Sequence, residues 1–253
     1  MKDGAETNPD WEELWSQFHD VFGRNPARAY RYQRIAEQLS RISNFKLNIV
    51  ADFGCGTGEL VSFLGPKFPQ LKFLGLDTSE AAIRIASLNY PKYEFMLMHQ
   101  PSKMRPRVLE TRFDVVICSE VLEHLDEPNK VLILISHLLR KDGKLIITVP
   151  AGPISFFDTF IGHKRHYTRD TLVSLLKESG FSDIEISRSG FPGINLIRVA
   201  SILRGKRILK DLKKSRGNSK FLDIGFKLME RLLQISIDDS RFGWQLVVSC
   251  RKS

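Results

Sequence analysis

What most constrains the fold of this chain is a rhythm. Short apolar runs alternate with stretches of helical spacing, and glycine, proline or a capping residue punctuates each change. LNIVADF is a strand-length run closed by glycines, ELVSFLGPKF has helical spacing, and LKFLGLD is strand-like again. SEAAIRIASLN reads as a helix behind a serine cap. YEFMLM and FDVVICS are strands, KVLILISHLLR a helix ended by Lys141-Asp142-Gly143, and KLIITVP a strand closed by Pro150. DTLVSLLKESGF is a helix stopped by Gly180, followed by the strand DIEISRS; WQLVVSC (residues 244–250) is the last strand. Strands joined through helices run parallel, with the helices packed on the faces. The expectation is an α/β fold with a doubly wound, mostly parallel seven-stranded sheet and helices on both faces.

Two segments stand outside the rhythm. Residues 1–44 carry helical spacing of Trp11, Trp15, Phe18 and Phe22, then of Tyr32, Ile35 and Leu39, so N-terminal helices are expected ahead of a domain spanning 45–253. More than fifty residues separate DIEISRS from the last strand, too many for a structureless loop. FLDIGFKLMERLLQI within that gap places Phe221, Ile224, Leu228, Leu232 and Ile235 on one helical face. Residues 190–242 are therefore expected to form a basic helical insertion before the last strand, lying over one end of the sheet.

Composition narrows the class. The chain is 42% apolar and 26% charged, and no apolar run approaches the ~18 residues a membrane-spanning helix needs. MKDGAETNPD has no apolar core, so no secretory leader is expected. Cys55, Cys118 and Cys250 lie far apart without metal-type spacing and read as reduced, buried thiols in a cytoplasmic protein. The net charge of +9 is concentrated in RGKRILKDLKKSRGNSK, residues 204–220.

ADFGCGTGEL follows the first strand and opens a helix. Gly54, Gly56 and Gly58 allow a tight turn and close approach to a ligand. About twenty residues on, the next strand ends at Asp77, where a carboxylate can accept from both ribose hydroxyls of an adenosine-type cofactor. The spacing is neither the dinucleotide G-x-G-x-x-G nor a P-loop. VADFGCGTGEL, LGLDTSEAA, FDVVICSEVLEHL and LLRKDGKLIITVP together resemble the class I S-adenosylmethionine-dependent methyltransferases, whose Rossmann-like fold would span roughly residues 45–190. By this resemblance Asp52, Gly54, Cys55, Gly56 and Gly58 form the cofactor loop, with the glycines along the methionine part. Asp77 would hold the ribose, Thr78 would lie beside the adenosine, and Ser119 would border the reactive end. The family often carries an Asp after the third strand. Here the chain reads MLMHQP, and Gln100, with an amide oxygen able to accept from the adenine amine, stands in its place beside His99.

ICSEVLEHLDEP carries the second constellation. On a helix, Glu120, Glu123 and His124 would share one face. Three readings are open: a helix end capped by Ser119 with acids at its positive pole; His124 as general base toward a substrate hydroxyl; or a divalent ion such as Mg²⁺ or Zn²⁺. The loop AGPISFFDTFIGHKRHYT supplies a further ligand at the same end of the sheet. E-x-x-E-H resembles the matching segment of the ubiquinone-biosynthesis O-methyltransferases and of the small-RNA 3′-terminal 2′-O-methyltransferases. In the latter a Glu, Glu, His and later His hold a metal, and by position His163 matches that later His better than His166. The catalytic and metal candidates are thus Glu120, Glu123, His124 and His163.

The expected activity is methyl transfer to a hydroxyl of a small, lipophilic or polyprenyl-linked acceptor. The amphipathic insertion would then touch an anionic membrane surface through residues 204–235. An RNA acceptor, with Arg204, Lys206, Arg207, Lys210, Lys213 and Lys214 on its phosphates, is the less favoured reading. A cofactor-binding partner module without turnover is the third.

Overall fold

The computed structural model describes residues 25–42, 49–98, 112–207 and 219–253. The expectations for Trp11 to Phe22, for His99 and Gln100, and for Lys210, Lys213 and Lys214 fall outside them.

The strands are β1 (Ile49–Phe53), β2 (Lys72–Asp77), β3 (Glu94–Leu97), β4 (Phe113–Ser119), β5 (Leu139–Pro150), β6 (Phe181–Ser189) and β7 (Gln245–Lys252). They form one seven-stranded sheet in the order β3-β2-β1-β4-β5-β7-β6. All pairings are parallel except those of β7, which runs antiparallel to both β5 and β6. The helices are α1 (Pro26–Ile42), α2 (Glu59–Leu64), α3 (Glu80–Asn89), α4 (Pro128–Leu138), α5 (Phe156–Phe160), α6 (Arg169–Glu178), α7 (Gly193–Arg204) and α8 (Ser219–Gln234). This is the Rossmann-like, doubly wound sheet expected from the sequence.

Both faces of the sheet are covered, which is why β4 is buried from Phe113 through Cys118 instead of alternating with solvent. Its side chains still alternate between two cores. Val116 and Cys118 join Leu132, Ile135, Leu145 and Ile147 on one face. Val115 and Ile117 join Val50, Ile146 and, from α1, Ile35 and Leu39 on the other. Helix α1 therefore lies directly on the sheet.

Two local expectations need correction. Helix α2 ends at Leu64 rather than running to Phe68, because Gly65-Pro66 follows. Helix α4 ends at Leu138, and Lys141-Asp142-Gly143 lies within β5 rather than terminating the helix. There the pairing with β4 slips register between Phe113 and Val115, Asp142 takes a left-handed conformation, and Arg140 pairs with Asp114.

The strand order reverses between β1 and β4, the switch point where open α/β sheets bind ligands. Register sets the carboxyl ends of three strands side by side: Asp52 lies opposite Ile117, and Phe53 opposite Leu76. Between β6 and β7, α7 and α8 pack against each other, and α8 also contacts α1.

Candidate functional site

At the tip of β1 the glycine loop is fastened to β2. Gly54 N and Cys55 N donate to Leu76 O at 2.7 and 3.0 Å, and Gly56 N donates to Asp77 Oδ2 at 2.7 Å. Gly54 and Gly56 have φ of 77° and 51°, a region that side-chain-bearing residues enter at a cost. A Cβ on Gly54 would also meet Val121 Cγ2 at 2.4 Å. Asp77 Oδ1 accepts from Ser79 N at 2.9 Å, and Ser79 caps α3 through a bond from Ala82 N. Asp77 is half-buried, Thr78 sits exposed beside it, and both line a cavity of about 800 Å³.

Asp52, in β1 two residues before Gly54, lines the same cavity. It is buried, and among the described residues its Oδ2 has no hydrogen-bond partner. Burial, then the charges of Asp77 and Glu59, push its carboxyl up to about 8. An acid held in this state suits a cationic ligand group, and the glycine backbone and the Asp77 carboxylate suit a polar nucleoside ligand. The loop fits the cofactor that the sequence implies. Cys55 is a buried thiol, raised chiefly by burial, with no sign of activation.

Beyond β4 the chain departs from the helix expected there. Ser119 caps no helix; its hydroxyl pairs with Thr148 Oγ1 at 2.8 Å. Glu120 has φ 57°, and only a 3₁₀ turn, Leu122–His124, follows. The shared helical face of Glu120, Glu123 and His124 therefore does not form, because Leu125 and Asp126 leave the turn before an α-helix can propagate. Glu120 turns to other partners. Its Oε1 accepts from Gln245 Nε2 at 2.9 Å and Thr148 Oγ1 at 3.1 Å, and its Oε2 lies 3.7 Å from Arg31 Nε. A non-glycine residue in this conformation costs about 1–2 kcal/mol, offset here by three partners on one carboxylate.

Glu123 goes inward. It is 0% exposed, and among the described residues neither carboxylate oxygen has a hydrogen-bond donor. Burial, then the charge of Glu120, raises its carboxyl well above the usual range. One ligand atom each from Glu123, His124 and His163 lies within 4.8 Å of the others, and Glu120 is outside this group. Burial lowers the His124 imidazole to about 4; burial, then His124, His166 and Arg198, lowers His163 to about 2. Both rings are neutral at physiological pH.

Hydrogen bonding assigns the tautomers. His166 Nδ1 lies 2.9 Å from Gly152 O and must donate to it, which leaves His166 Nε2 as an acceptor. His163 Nδ1, 3.1 Å from that nitrogen, then carries its proton, and His163 Nε2 keeps a lone pair. Neutral imidazoles around a carboxylate without donors make an acceptor-rich pocket of the kind that holds a divalent cation. Asp158, His163 and His166 form a second close group, but Arg198 already donates to Asp158 Oδ2 at 2.9 Å and His166 Nε2 at 3.1 Å. A guanidinium occupies that position.

The flanking loop holds the turn in place. Lys164 N donates to Glu123 O at 2.8 Å, and Tyr167 OH to Leu122 O at 3.0 Å. Asp158 caps α5 reciprocally with Ser155. The cavity runs continuously from Gly54, Gly56 and Asp77 to Glu120, His124 and His163. Ile194, Ile197, Arg198 and Ser201 of α7 and Met229 of α8 complete its wall. Sequence reasoning did not find Arg31, Asp158, Arg198 or Gln245. The capping pattern of Ser155 and Asp158 was legible as structure; the other three lie 32 to 125 residues from their partners and carry no local signal.

Comparison with known proteins places this geometry in context. A family model described as a methyltransferase domain matches residues 27–186. The malonyl-[acyl-carrier protein] O-methyltransferase of Halalkalibacterium halodurans is 24% identical over 133 residues, covering 51% of this chain and 49% of that protein. The ubiquinone biosynthesis O-methyltransferase of Nitrosomonas europaea is 28% identical over 159 residues, covering 60% of this chain and 63% of that protein. The chain thus spans about half to three-fifths of the length of these relatives. Among solved structures, a SAM-dependent methyltransferase from Thermotoga maritima superimposes with a TM-score of 0.59 at 15% identity, over 96% of this chain and 100% of that one. At that identity it speaks for the fold alone.

Proposed function

The chain belongs to the methyltransferase-domain family, and from that premise we propose that it transfers a methyl group from S-adenosylmethionine to a hydroxyl of a small, lipophilic acceptor. The observation that carries this reading is the single cavity joining the glycine loop and Asp77 to His124 and His163. The names of the O-methyltransferase relatives support oxygen as the acceptor atom.

When bound, the cofactor supplies a methyl group already activated on a sulfonium. The chain's residues have to bind, align, dry and deprotonate. Asp52 and the glycine loop would face the charged amino-acid part, and Asp77 the ribose. Positioning an oxygen in line can contribute about 7–11 kcal/mol in favourable cases. A divalent ion held by Glu123, His124 and His163 would lower the hydroxyl's pKa and fix a vicinal diol or catechol. Glu120 would act from outside that set, through Arg31, Gln245 and Thr148. In the alternative without an ion, a neutral imidazole takes the hydroxyl proton directly.

One experiment orders these readings. Purified protein is incubated with radiolabelled S-adenosylmethionine and cell extract, and label is followed into lipid, small-molecule and RNA fractions. Transfer into the organic-soluble fraction is expected, lost on chelation and restored by added Mg²⁺ or Zn²⁺. Full transfer in excess chelator would reject the metal. Label in RNA would reject the small acceptor, and cofactor binding without transfer to any pool would reject turnover.

A further inference from the structure

The helices that wall the cavity have a second face. At about 100° per residue, Ile197, Arg198 and Ser201, which line the cavity, occupy one side of α7. Leu196, Val199 and Leu203 fall on the opposite side and are exposed, Leu203 by 82%. On α8, Met229 lines the cavity and Leu233 is buried, while Ile224 and Leu228, with Ile235 just past the helix end, fall on the opposite side at 67%, 59% and 61% exposure. Apolar side chains on two adjacent helices thus face solvent, back to back with the cavity wall.

Charge tells what this surface fits. Lys227 and Arg231 flank the α8 stripe, and Lys206 and Arg207 follow α7. The sequence joining the helices, residues 204–220, holds eight Lys or Arg and one acid, Asp211. Apolar stripes bordered by Lys206, Arg207, Lys227 and Arg231 match an interface of acyl chains under anionic headgroups. Nucleic acid would use the basic residues but leave Leu203, Ile224 and Leu228 without a partner. No described helix is long and apolar enough to cross a membrane, so contact would be lateral.

We propose that the outer faces of α7 and α8, with Lys206, Arg207, Lys227 and Arg231 beside them, dock on an anionic lipid surface. A lipid-borne acceptor would then reach the cavity past the inner faces of the same helices; this last step rests on the function proposed above, whereas docking does not.

Co-sedimentation with vesicles tests docking without any acceptor or turnover. The probes are phosphatidylcholine alone and phosphatidylcholine with phosphatidylglycerol at about 3:1. Partitioning onto the anionic vesicles should exceed that onto neutral ones by roughly tenfold or more at low salt and decline as salt rises. The pair Leu203→Glu/Leu228→Glu should lower it at least about tenfold, with cofactor affinity by calorimetry and the melting temperature unchanged. Lys206→Glu/Arg207→Glu should weaken it and flatten its decline with salt, because fewer cationic contacts remain to be screened. Equal partitioning onto both vesicles, or full partitioning of the leucine pair, overturns the proposal. So does failure to bind vesicles with retention of an RNA homopolymer, or with a concentration-dependent dimer that the leucine pair abolishes. Loss of cofactor binding in the wild-type protein would instead strike the function and leave docking standing.

Discussion

Asp52 holds a charge problem that a cation solves. Its folded value of about 8 lies above the 3.8 of an unperturbed carboxyl. The folded chain therefore keeps this proton more tightly than the unfolded chain, and the associated stability is full below about pH 4 and lost as pH rises through 8. Asp52→Asn should accordingly raise the melting temperature of the ligand-free protein at pH 9 and change it much less at pH 5. An ammonium or sulfonium bound beside it would reverse the preference and expel the proton. Calorimetry in buffers of different ionisation enthalpy should detect proton release on cofactor binding between pH 5 and 8 in the wild type and none in the variant. The neighbouring glycines make a steric prediction. Gly56→Val places a branched side chain at φ 51° beside the cavity. Strain of about 1–3 kcal/mol together with intrusion should weaken cofactor binding by at least tenfold. Normal affinity would reject the loop assignment.

At the scale of elements, the insertion helix and the histidine loop act as one assembly. Arg198 on α7 bridges Asp158, which caps α5, and His166, which orients His163. The position of α7 is therefore tied to the lone pair of His163 Nε2. A charge-assisted hydrogen bond contributes about 1.5–3 kcal/mol. Arg198→Ala should lower kcat/KM for the acceptor about tenfold or more, while calorimetric affinity for the cofactor stays within about twofold. Arg198→Lys keeps the charge but loses the planar fork, so only part of the activity should return. An equal fall in cofactor affinity would show that Arg198 serves the fold generally rather than the acceptor end.

Across the whole molecule, α1 is part of the machinery: its Ile35 and Leu39 are fully buried in the core on β1, β4 and β5, and its Arg31 reaches Glu120. Ile35→Ala should lose about 2–4 kcal/mol of unfolding free energy in urea. A loss below about 0.5 kcal/mol would show that α1 packs only loosely. The sheet, its helix order and the glycine loop fastened to Asp77 were readable along the chain, because each depends on interactions within some twenty to thirty residues: the period of apolar burial, a serine cap, glycines before a helix and a carboxylate one strand later. The same local reasoning misjudged Ser119 to His124, since helical spacing cannot reveal that Thr148, Gln245 and Arg31 draw Glu120 away. It placed His163 with Glu123 and His124 only through a family likeness. Periodicity and turn chemistry are properties of neighbouring residues, so the sequence by itself determined the layers and the switch point. Which carboxylate is buried without donors, which imidazole keeps its lone pair and which helices wall the cavity depend on residues far apart in the chain. Only the closed tertiary structure, where burial and long-range charge set protonation, decided those.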